Sequence, residues 1–295
     1  MAFDIGGTHI RAVVASGAGD VVGRAAMPTE RFLRGDPLPL LAGMAREQSR
    51  ELADGIDGIV IGIPGILDPA RRSVIATPLV PNLQIDGFAE KLEERCGVPV
   101  ILDHDATLQT RGEGLKGAAA GYERVLGIYF GTGVGAAFLD SGALIGGPCR
   151  MQLGHVPLRG DGRIGTGGAV GCVEAYASGL VLRALASKHG LALADIFTST
   201  DENLRSELKA FVADQALSVA MAISFVDPEV VVVGGGVIEM ASYPFDEFVA
   251  LVNRMLSPAI GKSHRPVRRA QLGPTAATWG AISLMQSRLT GEGCP

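Results

Sequence analysis

Apolar and polar positions along the chain follow two alternating rhythms. Runs rich in β-branched residues predict strands at Ala2–Ile5, Ile10–Ala15, Val21–Ala26, Gly58–Ile63, Val98–Leu102, Val125–Phe130, Gly135–Leu139 and Val230–Val233. Between them, apolar residues recur every three to four positions. That spacing predicts helices at Leu38–Leu52, Gly87–Cys96, Ala106–Ala118, Glu174–Lys188, Glu202–Phe225, Pro244–Leu256 and Ala276–Arg288. The alternation is an α/β plan. One local design occurs twice: a strand, a glycine turn carrying hydroxyls and a second strand span Phe3 to Arg11 and return at Ile128 to Gly135, about 125 residues later. Two similar halves facing each other across a cleft would bring both turns to one ligand. The natural boundary is near Asp103 to Ala106, where a strand hands over to a helix.

Composition narrows the functional classes. At 295 residues with 47% apolar content the chain can fill two cores, and its mean hydropathy of +0.28 excludes disorder throughout. The charge, 26 Lys+Arg against 31 Asp+Glu or −5, shows no long run of one sign. Neither a grip on nucleic acid nor a polybasic membrane anchor is expected. Apolar stretches such as Val230 to Val233 fall short of the roughly 20 residues of a membrane helix, and Met1 leads straight into a strand. The expectation is a cytoplasmic protein whose partners are small molecules and its own copies. Cys96, Cys149, Cys172 and Cys294 are scattered like reduced thiols rather than a disulfide framework. Glycine is the outlier: its 41 residues are about twice the usual share of roughly 7%, and they gather at strand ends.

Those strand ends carry the candidate chemistry. Asp4-Ile5-Gly6-Gly7-Thr8 can hold phosphate oxygens, because glycine leaves its N–H groups uncovered and Thr8 adds a hydroxyl, while Asp4 directs charge toward a hydrated Mg²⁺. An ordinary hairpin turn is the plain alternative. Gly131-Thr132-Gly133 has the same physics, and two such turns in one chain weaken that alternative. Val230 to Val233 break into Gly234-Gly235-Gly236, where a flat base can lie against bare backbone or the glycines can merely close a turn. Asp103-His104-Asp105-Ala106 stands where a strand passes into a helix, the usual place for ligands in an open α/β sheet. A carboxylate there can take a hydroxyl proton, or simply cap the helix.

The ordered set of these motifs resembles the ROK sugar kinases over essentially the whole chain. It comprises Asp4-Ile5-Gly6-Gly7-Thr8, Gly62-Ile63-Pro64-Gly65, Thr77-Pro78 with Pro81-Asn82-Leu83, Asp105-Ala106, Gly131-Thr132-Gly133, Leu153-Gly154-His155, Gly171-Cys172-Val173-Glu174, and Asp227-Pro228 with Gly234-Gly235-Gly236. Within that family the chain is most similar to bacterial D-allose kinases, through Thr8-His9-Ile10-Arg11 and the stretch from Phe225 to Met240. The resemblance implies the duplicated actin-like ATPase (ribonuclease H-like) α/β fold, two lobes around a central cleft. An N-terminal lobe of residues 1–104 would be completed by the C-terminal helix near 276–290, and a larger lobe would span 105–275. It also implies phosphorylation of a hexose or N-acetylhexosamine, usually at the 6-hydroxyl, with ATP and Mg²⁺. Asp105 would be the catalytic base. Gly65, Asn82, His104, Gln152, His155 and Glu174 would line the sugar. ATP would be held by Asp4, Gly6, Gly7, Thr8, Gly131, Thr132, Gly133, Gly234 and Gly235, with Mg²⁺ carried by ATP and reaching Asp4 through water. A homodimer is expected.

The chain also departs from the family. Gln152 stands where a Glu is common three residues before His155, preceded by Pro148-Cys149-Arg150-Met151, and His104 stands where Asn usually precedes the catalytic Asp. The family's zinc knuckle has a His and then Cys ten, twelve and seventeen residues later. Here those positions are His155, Gly165, Gly167 and Cys172, so two of three thiolates are missing and no structural zinc is expected. Three functions follow from the sequence. A hexose 6-kinase is favoured because Asp105, both phosphate turns and Glu174 are present, with an N-acetylmannosamine or N-acetylglucosamine kinase as its variant. A sugar-responsive repressor would carry a helix-turn-helix segment ahead of Asp4. A non-catalytic sugar-binding protein would explain Gln152 and the lost thiolates.

Overall fold

Pairing of the N-terminal strands organises the first sheet. The computed structural model describes all residues except 51, 54, 147–150, 259–264 and 291–295, so Cys149, Arg150 and Cys294 lie outside the described residues. Ala2–Ile5 (β1), His9–Ala15 (β2) and Val21–Pro28 (β3) pair antiparallel in turn. After Glu30–Leu33 (α1) and Pro37–Ser49 (α2), Ile59–Ile63 (β4) runs parallel to β1. A small hairpin of Ile66–Leu67 (β5) and Val74–Ala76 (β6) leads to Phe88–Cys96 (α3). Val100–His104 (β7), parallel to β4, then passes directly into Asp105–Lys116 (α4). The order is β3-β2-β1-β4-β7.

The same order returns in the second sheet. Arg124–Phe130 (β8), Val134–Asp140 (β9) and Ala143–Ile145 (β10) are followed by a helical stretch. That stretch comprises Glu174–Ala177 (α5), Gly179–Lys188 (α6) and Glu202–Val226 (α7). Val230–Gly234 (β11), Phe245–Met255 (α8), Val267–Arg269 (β12) and Ala276–Thr290 (α9) complete the chain. With the order β10-β9-β8-β11-β12, each sheet reads third, second, first, fourth, fifth strand. This is the duplicated actin-like ATPase arrangement. The chain divides into one unit of Met1–Gly121, Leu139–Arg150 and Gln271–Pro295, and another of Tyr122–Phe138 and Met151–Ala270. The sequence expectation placed the division ahead of α4, but α4 groups with the first unit.

Burial explains that grouping. Along β4, Ile59, Ile61 and Ile63 pack into one core with Phe3, Ile5, Leu41 and Phe88, while Val60 faces a second core with Leu108 of α4 and Ala277, Ala281 and Leu284 of α9. The strand is covered on both faces, as parallel strands require. Glycines bring α4 and α9 close: a Cβ on Gly112 would collide with Ala276 O, and one on Gly280 with Leu108 O. Gly280→Ala should therefore cost about 1–3 kcal/mol of stability by overpacking. Gly43→Ala in α2, where no atom lies within 4 Å of the new Cβ, should stabilise by about 0.5–1 kcal/mol. Denaturant midpoints of the two variants check both signs.

Helix α7 is apolar enough by length and composition to cross a membrane, but its Leu204, Phe211, Val212, Val219 and Ile223 fill the core of the second unit. Two expectations shift, and five short elements fall outside those expected. The strand predicted at Val98–Leu102 is Val100–His104, since Pro99 lacks an N–H and Asp103 and His104 pair with Gly62 and Ile63. The helix predicted at Glu174–Lys188 breaks at Ser178, because the Gly179 N–H donates to Gly131 O at 2.8 Å. α1, β5, β6, β10 and β12 are two to four residues long, too short for a periodic pattern to register.

Candidate active site

Parallel pairing aligns Asp4 with Gly62 and Gly62 with Asp103, so two carboxylates flank one glycine at the same level of the sheet. A Cβ on Gly62 would stand 3.2 Å from Leu108 Cδ1 and 3.4 Å from Asp105 Cα, so this glycine lets the head of α4 settle onto the strand. There Asp105 Oδ1 accepts the Ala106 N–H at 2.7 Å. Burial, helped by the charge of Asp4, pushes the Asp105 carboxyl up to about 6. Burial also raises Asp4, against the pull of Arg11 at 3.4 Å. A carboxylate so tuned is ionised at neutral pH yet more basic than an exposed one, which suits a general base.

Asp103 plays a different part. It is fully buried, its Oδ2 accepting from Arg71 Nη1 at 3.1 Å and its Oδ1 from the His104 N–H at 2.9 Å. Arg71 has φ +55, a strained left-handed backbone for a side chain of its size. The turn is held by Asp68, whose carboxylate accepts from the Ala70, Arg72 and Ser73 N–H groups. Burial raises the Asp68 carboxyl, but those donors carry it below the ordinary range. Sequence reasoning missed Arg71, because its only signal is an Asp three positions earlier in a polar turn.

His104 is 6% exposed, and neither ring nitrogen has a hydrogen-bond partner. Thr107 Oγ1 and Arg111 Nε and Nη2, on the same face of α4, are likewise buried and unpartnered. Buried polar groups are normally satisfied, so the His104 ring, next to Asp105 in the chain and with Nδ1 3.8 Å from Asp103 Oδ1, keeps hydrogen-bonding capacity. Gly65 is glycine because a Cβ would collide with Ala76 O. Asn82 is exposed, and its Nδ2 donates to Phe32 O at 2.9 Å and Gly35 O at 3.2 Å, which leaves Oδ1 to accept from a ligand.

The first glycine turn is a braced hairpin. Gly6 N–H donates to His9 O, and Thr29 donates to Gly6 O through Oγ1 and to Thr8 O through N–H. The Gly7 and Thr8 N–H groups donate no backbone bond, so they and the exposed Thr8 hydroxyl fit phosphate oxygens. In the second unit Gly131 N–H donates to Gly133 O, and Thr132 and Gly133 keep their own N–H groups free in the same way.

Glu174, expected on the sugar, supports this second turn. Its Oε2 accepts the Val134 N–H at 3.2 Å, and its Oε1 accepts the Thr166 N–H at 3.1 Å and the Thr166 hydroxyl. A Cβ on Gly133 would collide with it. Gln152 precedes the single 3₁₀ turn Leu153–His155, and Nδ1 of His155 is buried without a partner. Gly234 and Gly235, expected on ATP, are needed for packing: a Cβ on Gly234 would lie 2.8 Å from Ala270 Cβ, and Gly235 has φ +91 with Phe130 O 2.6 Å from its Cβ position. Gly236 is the one with open space.

The residues do not fit a structural zinc. A Cβ on Gly165 would collide with Cys172 Sγ, and one on Gly167 would stand 2.7 Å from His155 Cε1. Ligand atoms around tetrahedral zinc stand roughly 3.8 Å apart at bond lengths near 2.3 Å. The glycine backbone has closed into the space that thiolates and metal would need. Among the described residues no group of three or more His, Cys, Asp or Glu side chains could hold a metal ion. Mg²⁺ is a different case, since Asp4 at the mouth of the first turn suits a hydrated cation.

Comparison with known proteins shows the family. The description of the ROK family matches residues 1–288. The chain belongs to the ROK family. It is 28% identical over 313 aligned positions to a glucokinase of Streptomyces coelicolor, covering 95% of each chain. To an N-acetyl-D-glucosamine kinase of Yersinia pseudotuberculosis it is 29% identical over 256, covering 79% of this chain and 82% of the relative. A crystal structure of a ROK glucokinase from Streptomyces griseus with glucose and AMPPNP superposes with a TM-score of 0.80 at 25% identity, covering 96% of this chain and 97% of that one.

Proposed function

We propose that this ROK protein is an ATP-dependent sugar kinase that phosphorylates a hexose, D-allose or a related aldohexose, at the 6-hydroxyl. The observation that carries the reading is Asp105: a desolvated carboxylate at the head of α4 with one oxygen engaged by the Ala106 N–H and the other left for a substrate hydroxyl. The hydroxyl proton passes to Oδ2 of Asp105 as the sugar oxygen bonds to the γ-phosphorus and the bond to the β-phosphate oxygen breaks, releasing ADP. Phosphoryl transfer asks the protein chiefly for position and charge balance. The Gly7–Thr8 amides of one unit and the Thr132–Gly133 amides of the other are each the kind of donor that phosphate oxygens take. Asp4 would hold a hydrated Mg²⁺ carried by the nucleotide, which would supply charge neutralisation when bound. His104 and the Oδ1 of Asn82 offer directional partners for sugar hydroxyls, and the His104 position, Asn in most of the family, is where this chain selects its sugar. The partners under this reading are a sugar, ATP and a second copy of the chain.

One observation favours a second reading. Gln152 stands where the family commonly has a Glu, as it would in a protein that binds sugar without turnover. A coupled ADP-release screen over allose, glucose, mannose, fructose, N-acetylglucosamine and N-acetylmannosamine separates the two. Kinase activity predicts sugar-dependent ADP release with one aldohexose at least tenfold ahead. Release that is highest with an N-acetylhexosamine assigns the amino-sugar variant. Sugar-dependent thermal stabilisation without ADP release from any sugar overturns the kinase reading.

A further inference from the structure

The loop that a knuckle metal would close in relatives is closed here by other means. Its backbone is tied at three places: Leu158 and Arg159 N–H both donate to Gly171 O, Gly171 N–H donates to Arg163 O, and Gly165 N–H donates to Ala169 O. Gly171 has φ +67, and a Cβ there would collide with Arg159 O. The side chains converge on Tyr176 of α5, which is buried. Its hydroxyl donates to Asp161 Oδ1. Two guanidinium carbons stand over its ring, Arg159 Cζ at 5.1 Å and Arg163 Cζ at 4.9 Å from the centroid, within cation–π range. Arg159 in turn pairs with Asp214 of α7, and Arg163 Nε stands 3.7 Å from Asp161 Oδ2. Two cations and two anions balance around one aromatic ring.

From this cluster we infer that Tyr176, with Arg159, Arg163, Asp161 and Asp214, is a metal-free clasp that holds the Gly160–Gly171 loop in place of a structural metal and thereby positions His155, expected on the sugar, and Glu174, which supports the second glycine turn. Two contacts transmit the position. Thr166 in the loop bonds Glu174, which in turn accepts the Val134 N–H. Gly167 lies against the His155 ring. The five are positioning residues, and their effect on sugar affinity rests on the kinase reading above. The clasp also behaves differently from a metal. Side chains of Arg159 and Arg163 are 47% and 60% exposed, so their pairing weakens with added salt, and a chelator has nothing to remove.

Trypsin reads the clasp without reference to activity, since Arg159 and Arg163 are themselves cleavage sites. The full chain should resist nicking in this loop, with resistance unchanged by 1,10-phenanthroline and lowered severalfold by roughly 1 M NaCl, where screening length falls to about 3 Å. Tyr176→Phe should speed nicking after Arg159 at least fivefold. Arg163→Gln, a surface change that keeps the fold if Tyr176→Phe does not, should do the same. Both should raise sugar KM at least fivefold with kcat within twofold. Zinc near one per chain, nicking accelerated by the chelator, or variants as resistant as wild type would overturn the clasp. Nicking as expected in a protein that releases no ADP would leave the clasp standing and remove only the kinase reading.

Discussion

Asp105→Asn is expected to lower kcat about 10³-fold while sugar affinity stays within about tenfold, because the amide fills the same space and cannot accept the hydroxyl proton. The same substitution should stabilise the protein. Burial raises this carboxyl from 3.8 to about 6, so the folded state binds its proton more tightly than the unfolded chain. The stability held by that proton is fully present below about 3.8 and is lost as pH rises through about 6. At pH 7.5 the ionised group therefore costs about 2–3 kcal/mol, at about 1.4 kcal/mol per pH unit of displacement, and Asn removes that cost. Thermal melts should show the variant several degrees above wild type at pH 7.5 and level with it near pH 4. Loss of rate together with gain of stability is the mark of a group strained for catalysis. A kcat within tenfold of wild type would show that Asp105 is not the base.

Arg71→Ala carries the largest expected loss of stability. The substitution strips a guanidinium from a fully buried carboxylate, and breaking one side of a buried pair costs about 3–5 kcal/mol. Because Asp103 also accepts the His104 N–H, the end of β7 should loosen and kcat/KM should fall with it. The double variant Arg71→Ala with Asp103→Asn should recover most of the stability, since the neutral amide no longer needs the cation. Denaturant unfolding of the two single variants and the double variant closes that cycle. Additive losses would show that Arg71 and Asp103 are not coupled.

Much of the architecture is legible in the order of residues because strands and glycine turns write short, regular patterns. The return of the Gly6–Gly7–Thr8 design at Gly131–Thr132–Gly133 signals a duplication, and both sheets share one strand order. Asp105 is legible as a carboxylate where an apolar strand passes into a helix. Arg71 is not, since its meaning depends on a turn that carries it to a residue 32 positions away. Nor is the work of Glu174, whose partners Val134 and Thr166 come from two other segments. Gly234 and Gly235 show the reverse difficulty. Glycine opens a backbone to a ligand and equally lets another strand come close, and only the placement of Phe130 and Ala270 shows that packing also requires both. The boundary expected ahead of α4 differs from the grouping of α4 with α9, which rests on glycines whose partners lie 164 and 172 residues away, Gly112 against Ala276 and Gly280 against Leu108.

The account rests on Asp105 taking the proton of a sugar hydroxyl, and the pH dependence of kcat/KM for the best sugar tests it most directly. This parameter reports the ionisation of free enzyme. It should rise with unit slope below a midpoint near 6, the value that burial and Asp4 impose on Asp105, and level off above it. In Asp105→Asn the residual rate should lose that limb. A wild-type profile flat from pH 5 to 8, or an acid limb that persists unchanged in the Asn variant, would contradict it.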